Sequence, residues 1–592
     1  MGLSKLTEIG EIDSINGNTI SVKMSDSLKS NIPIIDGVVY KVGQVGSFLK
    51  VSLGYTNLYG IVTQVGAAAI PDKLKEVIAQ DYAKYKNQQW LSIVLVGEQT
   101  GNKFERGITQ FPTPGDIVHL VTIKDLEIIY GGFSEENSVV VGNISVSESL
   151  TARIDIDKLI SRHSAVLGST GSGKSNAVAV ILNAIAEKGF KSSRILIIDP
   201  HGEYSEPLKG KCKIYKVNAD AGENNLFIPF WALPFDQLLE IFSQTLLDQN
   251  KDYVRQKFLE AKLESNNNNK LGVNIESISA DSPIPFSLNK LWGELDTFER
   301  LTFKDTNRTI PDLISLGDYE KLESNKYQPA STTNNPPYFN PQRKGILYFT
   351  DQVRNRIKDN RYSFLFDPSE YKPDKDGKCT KDLDSLLVDW VGGEKPITIL
   401  DLSGIPSEIM QTISGTLLKI IFDALFWGQS LEVGGKEQPL LIVLEEAHNY
   451  LKAGENSIAS KTVQTISKEG RKYGVGLMLV TQRPSELDET VLSQCGTMIA
   501  LRMNNTKDRG HIKSAIQDEL QTIVDLLPSL RTGEGIISGE AVKIPSRIKF
   551  YKVSNAPKSS DPKASEKWKL EKSDVDKKYQ TLVKLWRNQQ LK

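Results

Sequence analysis

Cysteine is almost absent. Cys212, Cys379 and Cys495 are the three in 592 residues, and their wide spacing excludes a disulfide framework, a zinc cluster and a redox pair. They read as ordinary reduced thiols. Histidine is scarce too: His163, His201 and His448 have no carboxylate or cysteine at metal-ligand spacing and read as polar packing residues. Net charge is nearly missing, with 72 basic against 73 acidic residues leaving -1. That balance excludes a uniformly basic coat, though not a pore or groove with a local basic lining. No uncharged apolar run is long enough to span a bilayer, and Met1 to Gly10 lacks an apolar signal core. The expectation is a soluble, cytoplasmic chain of about two to four domains.

What the chain does have is a phosphate cradle. Gly168-Ser169-Thr170-Gly171-Ser172-Gly173-Lys174-Ser175 fits G-x-x-x-x-G-K-[ST]. The apolar run Ser164 to Leu167 before it reads as a buried strand. After it, Val178, Ile181, Leu182 and Ile185 recur at the spacing of a helix face. Glycines let backbone N–H groups wrap polyphosphate oxygens, and the helix N-terminus adds partial positive charge. Lys174 is placed to reach the β- and γ-phosphates and Ser175 to hold Mg²⁺. The chain is expected to bind ATP.

The rest of the chain divides by pattern. Up to about residue 130, short β-rich runs alternate with turn signals such as Asn16-Gly17 and Asp36-Gly37, which suggests a small β-barrel interrupted by a helix over Pro71 to Tyr85. From about 146 the pattern is α/β, with strands expected at Ser164–Leu167, Arg194–Ile198, Thr398–Leu400, Leu440–Leu444, Gly476–Val480 and Thr497–Leu501. Helical stretches between them indicate a mostly parallel sheet. An excursion over 221–395 reads as a helical insertion. The expected domains are 1–145 for the barrel, 146–220 with 396–555 for the ATPase core, 221–395 for the insertion and 556–592 for a C-terminal linker and helical arm. In that arm Trp568, Tyr579, Leu582, Leu585 and Trp586 line one helix face, either as a solvated tail or docked on a neighbouring subunit.

Further residues complete an NTPase set. The strand Leu441 to Leu444 ends in Glu445-Glu446. Glu445 can meet the Mg²⁺ shell through water, and Glu446 can polarise the water that attacks the γ-phosphate. The pair could equally cap a helix over Ala447 to Leu451. Gln482, after the strand Gly476–Val480, is a candidate γ-phosphate sensor, or a loop amide that bonds backbone. Arg471, within Lys468 to Tyr473, is the first candidate for an arginine supplied between subunits, and Arg162 the second; the alternative reading for either is surface charge.

Taken together, these residues resemble the HerA family of hexameric DNA translocases, within the HerA/FtsK group of RecA-like ATPases, with a bacterial member expected. The resemblance rests on Arg162 to Ser175, Ile198-Asp199-Pro200-His201-Gly202-Glu203-Tyr204, Leu444-Glu445-Glu446-Ala447-His448, Glu469 to Gly474 and Thr481-Gln482-Arg483-Pro484. In the barrel it extends to Arg106-Gly107 and Pro114-Gly115-Asp116. It implies a ring of six subunits threading double-stranded DNA, with ATP and Mg²⁺ between neighbours. Lys174 and Ser175 would contact phosphate and Mg²⁺, Glu446 would be the base, Gln482 the sensor, and Arg162 and Arg471 the charge stabilisers. It also implies an effector on the barrel face, such as a NurA-type nuclease or a sirtuin-like enzyme, in DNA end processing or anti-phage defence.

Other readings stay open at the level of sequence. One is a nucleotide-stabilised ring scaffold that assembles and activates a partner enzyme. Another is a conjugation or secretion ATPase of related fold, although such proteins often carry a membrane segment. Pore-lining cations are sought around Asn504 to Lys513, where Lys507, Arg509 and Lys513 cluster.

Overall fold

The computed structural model describes residues 7–25, 34–35, 38–39, 43–67, 89–145, 147–242, 246–333, 335–454, 457–515, 521–557, 564–569 and 575–588. The helix expected over Pro71 to Tyr85 lies outside them.

Six strands near the N-terminus close on themselves. Glu8–Asn16, Ile117–Leu120, Phe48–Leu53, Thr56–Ala67, Gln89–Thr100 and Thr19–Met24 pair in that order, and the last returns to the first. Alternation makes the barrel: Ile20 and Val22 are buried between less buried neighbours, and Leu91 and Ile93 are buried on either side of the partly exposed Ser92. Gly10 is required where two strands approach, because a Cβ there would stand 2.2 Å from the Lys23 carbonyl. Polar contacts tie the barrel down. Lys50 and Tyr59 both reach Asp125, at 2.9 and 3.1 Å, on the helix Ile123–Gly131. The Arg106 guanidinium donates to the Gly539 carbonyl at 2.9 Å.

Twelve of the remaining strands form one sheet. Its parallel part runs, in spatial order, Thr497–Leu501, Ser164–Leu167, Val475–Thr481, Leu440–Leu444, Arg194–Asp199, Ile397–Asp401, Cys212–Lys216 and Asn224–Asn225. The central strands are buried on both faces, which is why Leu440–Leu444 reads as an unbroken apolar run rather than an alternating one. Antiparallel strands Glu534–Gly539, Ser546–Phe550, Ser138–Ile144 and Ser147–Asp155 extend one side. Ser138–Ile144 thus pairs within the larger sheet, although the expected boundary near 145 groups it with the barrel. Cys212–Lys216 was not anticipated: its Cys-Lys-Ile-Tyr-Lys sequence has the polar alternation of a sheet margin.

Between Asn225 and Ile397 lie the helices Phe235–Phe242, Asp248–Asn269, Leu288–Arg300, Leu347–Lys358 and Leu383–Val391. An aromatic core including Phe230, Phe235, Phe258 and Phe286 holds them, with Trp231 and Trp292 donating indole N–H groups to the carbonyls of Tyr371 and Thr350, each at 2.9 Å. The stretch Ser407–Trp427 is long and apolar enough to cross a membrane, with a mean hydropathy of 1.4, but 67% of that window is buried inside the fold. Near the C-terminus the helix Val575–Asn588 carries Tyr579, Leu582 and Trp586 exposed to solvent.

Candidate active site

The parallel strands bring their C-terminal ends to one edge of the sheet, where ligands of such folds bind. The phosphate loop leaves Leu167 and enters the helix Lys174–Glu187. Gly171 and Gly173 have φ of +71° and +99°, values that only glycine adopts without strain. Gly173 is further constrained, since a Cβ would sit 3.1 Å from the Gly533 nitrogen. The loop is anchored from three sides: Gly168 N–H donates to the Thr481 carbonyl at 3.3 Å, Ser169 N–H to that of Arg502 at 3.0 Å, and Gly533 N–H to that of Ser172 at 2.9 Å.

The loop suits a polyphosphate by a test of its own atoms. Lys174 is only 8% exposed, and its ammonium makes no hydrogen bond or ion pair among the described residues. The Ser172 hydroxyl is buried without a partner. Two buried polar groups of this kind are costly unless an anion meets them. Mg²⁺ typically takes one or two protein oxygens plus phosphates and waters, and Ser175 with the acidic residues beside it suits that demand. The described residues contain no cluster of His, Cys, Asp and Glu that would hold a metal by themselves.

Glu445 and Glu446 diverge sharply. Glu445 is 2% exposed and accepts the Tyr204 hydroxyl at 2.6 Å. Burial pushes its carboxyl well above the ordinary carboxylate range. Glu446 takes a left-handed backbone, φ +48°, which turns the chain out of the strand. Burial would raise its carboxyl, but the His448 imidazole close beside it, with the charges of Lys174 and His201, outweighs that and holds the group below the ordinary range. Glu446 is therefore the more readily ionised of the two carboxyls. The helix expected over Ala447 to Leu451 is a single short turn, Ala447–Asn449.

His448 belongs to this corner rather than to background packing. Its Nδ1 lies 3.2 Å from the Glu446 carboxylate and 3.0 Å from the Thr481 hydroxyl. Thr481 in turn accepts the Arg483 N–H at 3.0 Å. The strand Val475–Thr481 lies between the loop strand and the acidic strand, and so carries Gln482 to the phosphate loop, where it accepts the Thr170 hydroxyl.

The turn after Arg194–Asp199 completes the site. Asp199 is buried and accepts the N–H groups of His201, Gly202 and Tyr204 at 3.2, 2.8 and 3.1 Å. Burial, with Asp401 nearby, raises its carboxyl to about 7 against those bonds. The turn points Glu203 at the loop, where it accepts the Ser175 hydroxyl at 2.6 Å. Sequence reading quoted Glu203 and Tyr204 in a motif but assigned them no task. The available signal was a second acidic residue just past a core strand.

Both candidate arginines lie at the other edge. Arg162 precedes the loop strand and pairs with Glu540 at 3.4 Å. Arg471 precedes Val475–Thr481, whose seven residues separate it from Gln482 by about 20 Å of strand rise. It is exposed. Of the cations around Asn504 to Lys513, Arg509 donates to the Asn504 carbonyl at 2.7 Å and Lys513 pairs with Asp525 at 2.7 Å, leaving Lys507 exposed.

A phosphate loop, an ionised glutamate and a polar strand end on a parallel sheet define a P-loop ATPase. Comparison with known proteins narrows the class. Residues 139–421 match the family described as Helicase HerA, central domain, and residues 382–584 match Helicase HerA-like C-terminal. The chain belongs to the HerA helicase family and is an ATP-driven enzyme of helicase type. It is 29% identical over 467 residues to the DNA double-strand break repair helicase HerA of Sulfolobus acidocaldarius, covering 78% of each chain. The protein of the same description from Saccharolobus solfataricus is 28% identical over 538 residues, 89% of this chain and 91% of that one. Among solved structures, VirB4 of Thermoanaerobacter pseudethanolicus aligns with a TM-score of 0.46 at 15% identity, covering 72% of this chain and 99% of that one.

Proposed function

We infer that the chain is an ATP-driven translocase of double-stranded DNA that works as a hexameric ring. The observation that carries this reading is the division of the site between two sheet edges. Lys174, Ser175, Glu446 and Gln482 gather at one edge, whereas Arg162 and the exposed Arg471 lie at the other. A guanidinium there is useful to hydrolysis only if a second copy brings it to this nucleotide. Lys174 would grip the β- and γ-phosphates, and Glu446, ionised and turned out of its strand, would accept the proton of the attacking water. Gln482 would leave Thr170 to orient that water. Mg²⁺ bound with the nucleotide would offset charge on the phosphate oxygens.

The finer reading follows the relatives described as DNA double-strand break repair helicases. In it the barrel carries an effector, a nuclease or a sirtuin-like enzyme, and the ring serves DNA end processing or anti-phage defence. The chain would divide into barrel 1–145, core 146–220 with 396–555, helical insertion 221–395 and arm 556–592.

The deciding experiment measures ATPase rate with and without duplex DNA, alongside particle mass with nucleotide. Stimulation by duplex and a six-subunit mass support the reading; a rate indifferent to every DNA form, or a persistent monomer, rejects it. Lys174→Ala and Glu446→Ala separate motor from scaffold, because a scaffold keeps partner activity after hydrolysis is lost.

A further inference from the structure

Within the segment Asp199 to Tyr204, three positions shape the turn or lock its end. Asp199 collects three backbone N–H groups and so shapes the turn. Gly202, at φ +70°, passes so close to Asp401 that a Cβ would meet its carboxylate at 2.9 Å. Tyr204 donates to Glu445. Glu203 bonds outside the turn: its carboxylate is aimed across the site and accepts the Ser175 hydroxyl, 2.6 Å away.

A hydroxyl that lends a lone pair to Mg²⁺ keeps its proton and needs an acceptor for it. The end of the acidic strand is where a phosphate-loop enzyme is expected to supply that acceptor. Here Glu445 is turned inward, buried and committed to Tyr204. The 2.6 Å contact is a hydrogen bond in which the Ser175 hydroxyl gives its proton to Glu203 and keeps its oxygen lone pairs for a metal.

Resting on the ATPase reading above, we propose that Glu203, not Glu445, is the carboxylate that serves the Mg²⁺ of the bound nucleotide, through the Ser175 hydroxyl and the metal's inner water shell. Glu445 is a positioning residue that locks Tyr204, and through it the turn that aims Glu203. A competing account makes Glu203 a favourable charge at the N-terminus of the helix Lys174–Glu187. That account predicts a loss of thermal stability and no change in metal dependence.

The test is Mg²⁺ titration of fluorescent ADP (mant-ADP) binding to the full chain, with an EDTA arm and a thermal melt for each variant. Glu203→Gln is expected to raise the half-saturating Mg²⁺ by ~10–100-fold, the usual cost of losing a partner of a metal ligand. Its affinity in EDTA should hold or improve, because a negative charge near the phosphates is gone. Glu203→Asp should fall between Glu203→Gln and wild type, and Glu445→Gln, whose amide oxygen can still accept the Tyr204 hydroxyl, should shift the Mg²⁺ midpoint far less than Glu203→Gln. A folded Glu203→Gln with an unmoved midpoint, or a larger shift in Glu445→Gln, overturns the assignment. If Glu203→Gln does not fold, the Glu203→Asp and Glu445→Gln midpoints decide it by the same criteria. Failure of the wild-type chain to bind mant-ADP would overturn the ATPase reading as well, and so is distinguishable from failure of this inference alone.

Discussion

His448 and Glu446 form a pair whose protonation has a definite sign. The Glu446 carboxyl is buried, which alone would raise it, and His448 is the leading group that keeps it low. Replacing His448 with Asn leaves the burial and removes that support. The acid limb of the ATPase pH profile should then move to higher pH, with the neutral-pH rate falling by about tenfold, the scale of one charge-assisted contact. A limb that stays in place would show that Lys174 and His201 suffice. His163 behaves in the opposite chemical sense. It is buried, and its Nδ1 accepts the Leu477 N–H at 3.0 Å, so burial pushes the ring down to about 4. The unfolded chain binds this proton first, near 6.5, so stability is full above that pH and is lost as pH falls towards about 4. The swing is about 3 kcal/mol. Urea midpoints measured across that window should fall with acid, and should fall less in His163→Asn.

At the scale of elements, the turn Asp199 to Tyr204 shows how a short segment can control a site. Gly202→Ala places a Cβ against Asp401 in a left-handed backbone, at a cost of about 1–3 kcal/mol. The variant should melt several degrees lower and bind Mg²⁺–ADP more weakly; a normal melt with normal binding would mean the turn relaxes freely. Sequence alone located most elements here because their signals are local. The loop strand, the helix after it and Leu440–Leu444 follow from apolar runs and spacing. The extents of barrel strands are less legible: Thr56–Ala67 pairs antiparallel along its length with Gln89–Thr100, which carries polar residues into the ladder. Ser138–Ile144 pairs locally with Ser147–Asp155, but its assignment to the larger sheet rests on Ser546–Phe550, some four hundred residues away.

For the whole molecule, the two edges of the sheet make a prediction about assembly. Lys174→Ala removes the phosphate grip and Arg471→Ala removes the candidate charge from the opposite edge. Each alone should lose about 10³-fold in ATPase rate. Mixed before assembly, they should regain a measurable share, because a ring then contains interfaces with an intact lysine facing an intact arginine. Activity no greater than that of either parent, in a mixture that demonstrably co-assembles, would place Arg471 outside the reaction. Trp568, Tyr579, Leu582 and Trp586 near the C-terminus are exposed in the single chain.

The phosphate loop could be recognised from eight consecutive residues because its function resides in backbone conformation, which glycines at set spacing dictate locally. The acidic pair and Gln482 were legible for a similar reason: each follows directly on an apolar run, so its place at a strand end is a local property. Which glutamate is ionised, which carboxylate meets Ser175 and which edge the arginines occupy were decided by folding. Those outcomes depend on strand order, on the burial of Glu445 against Tyr204 and on the charge of His448 beside Glu446. Each is a contact between residues far apart in sequence, and desolvation, which sets their protonation, exists only once the sheet has closed around them.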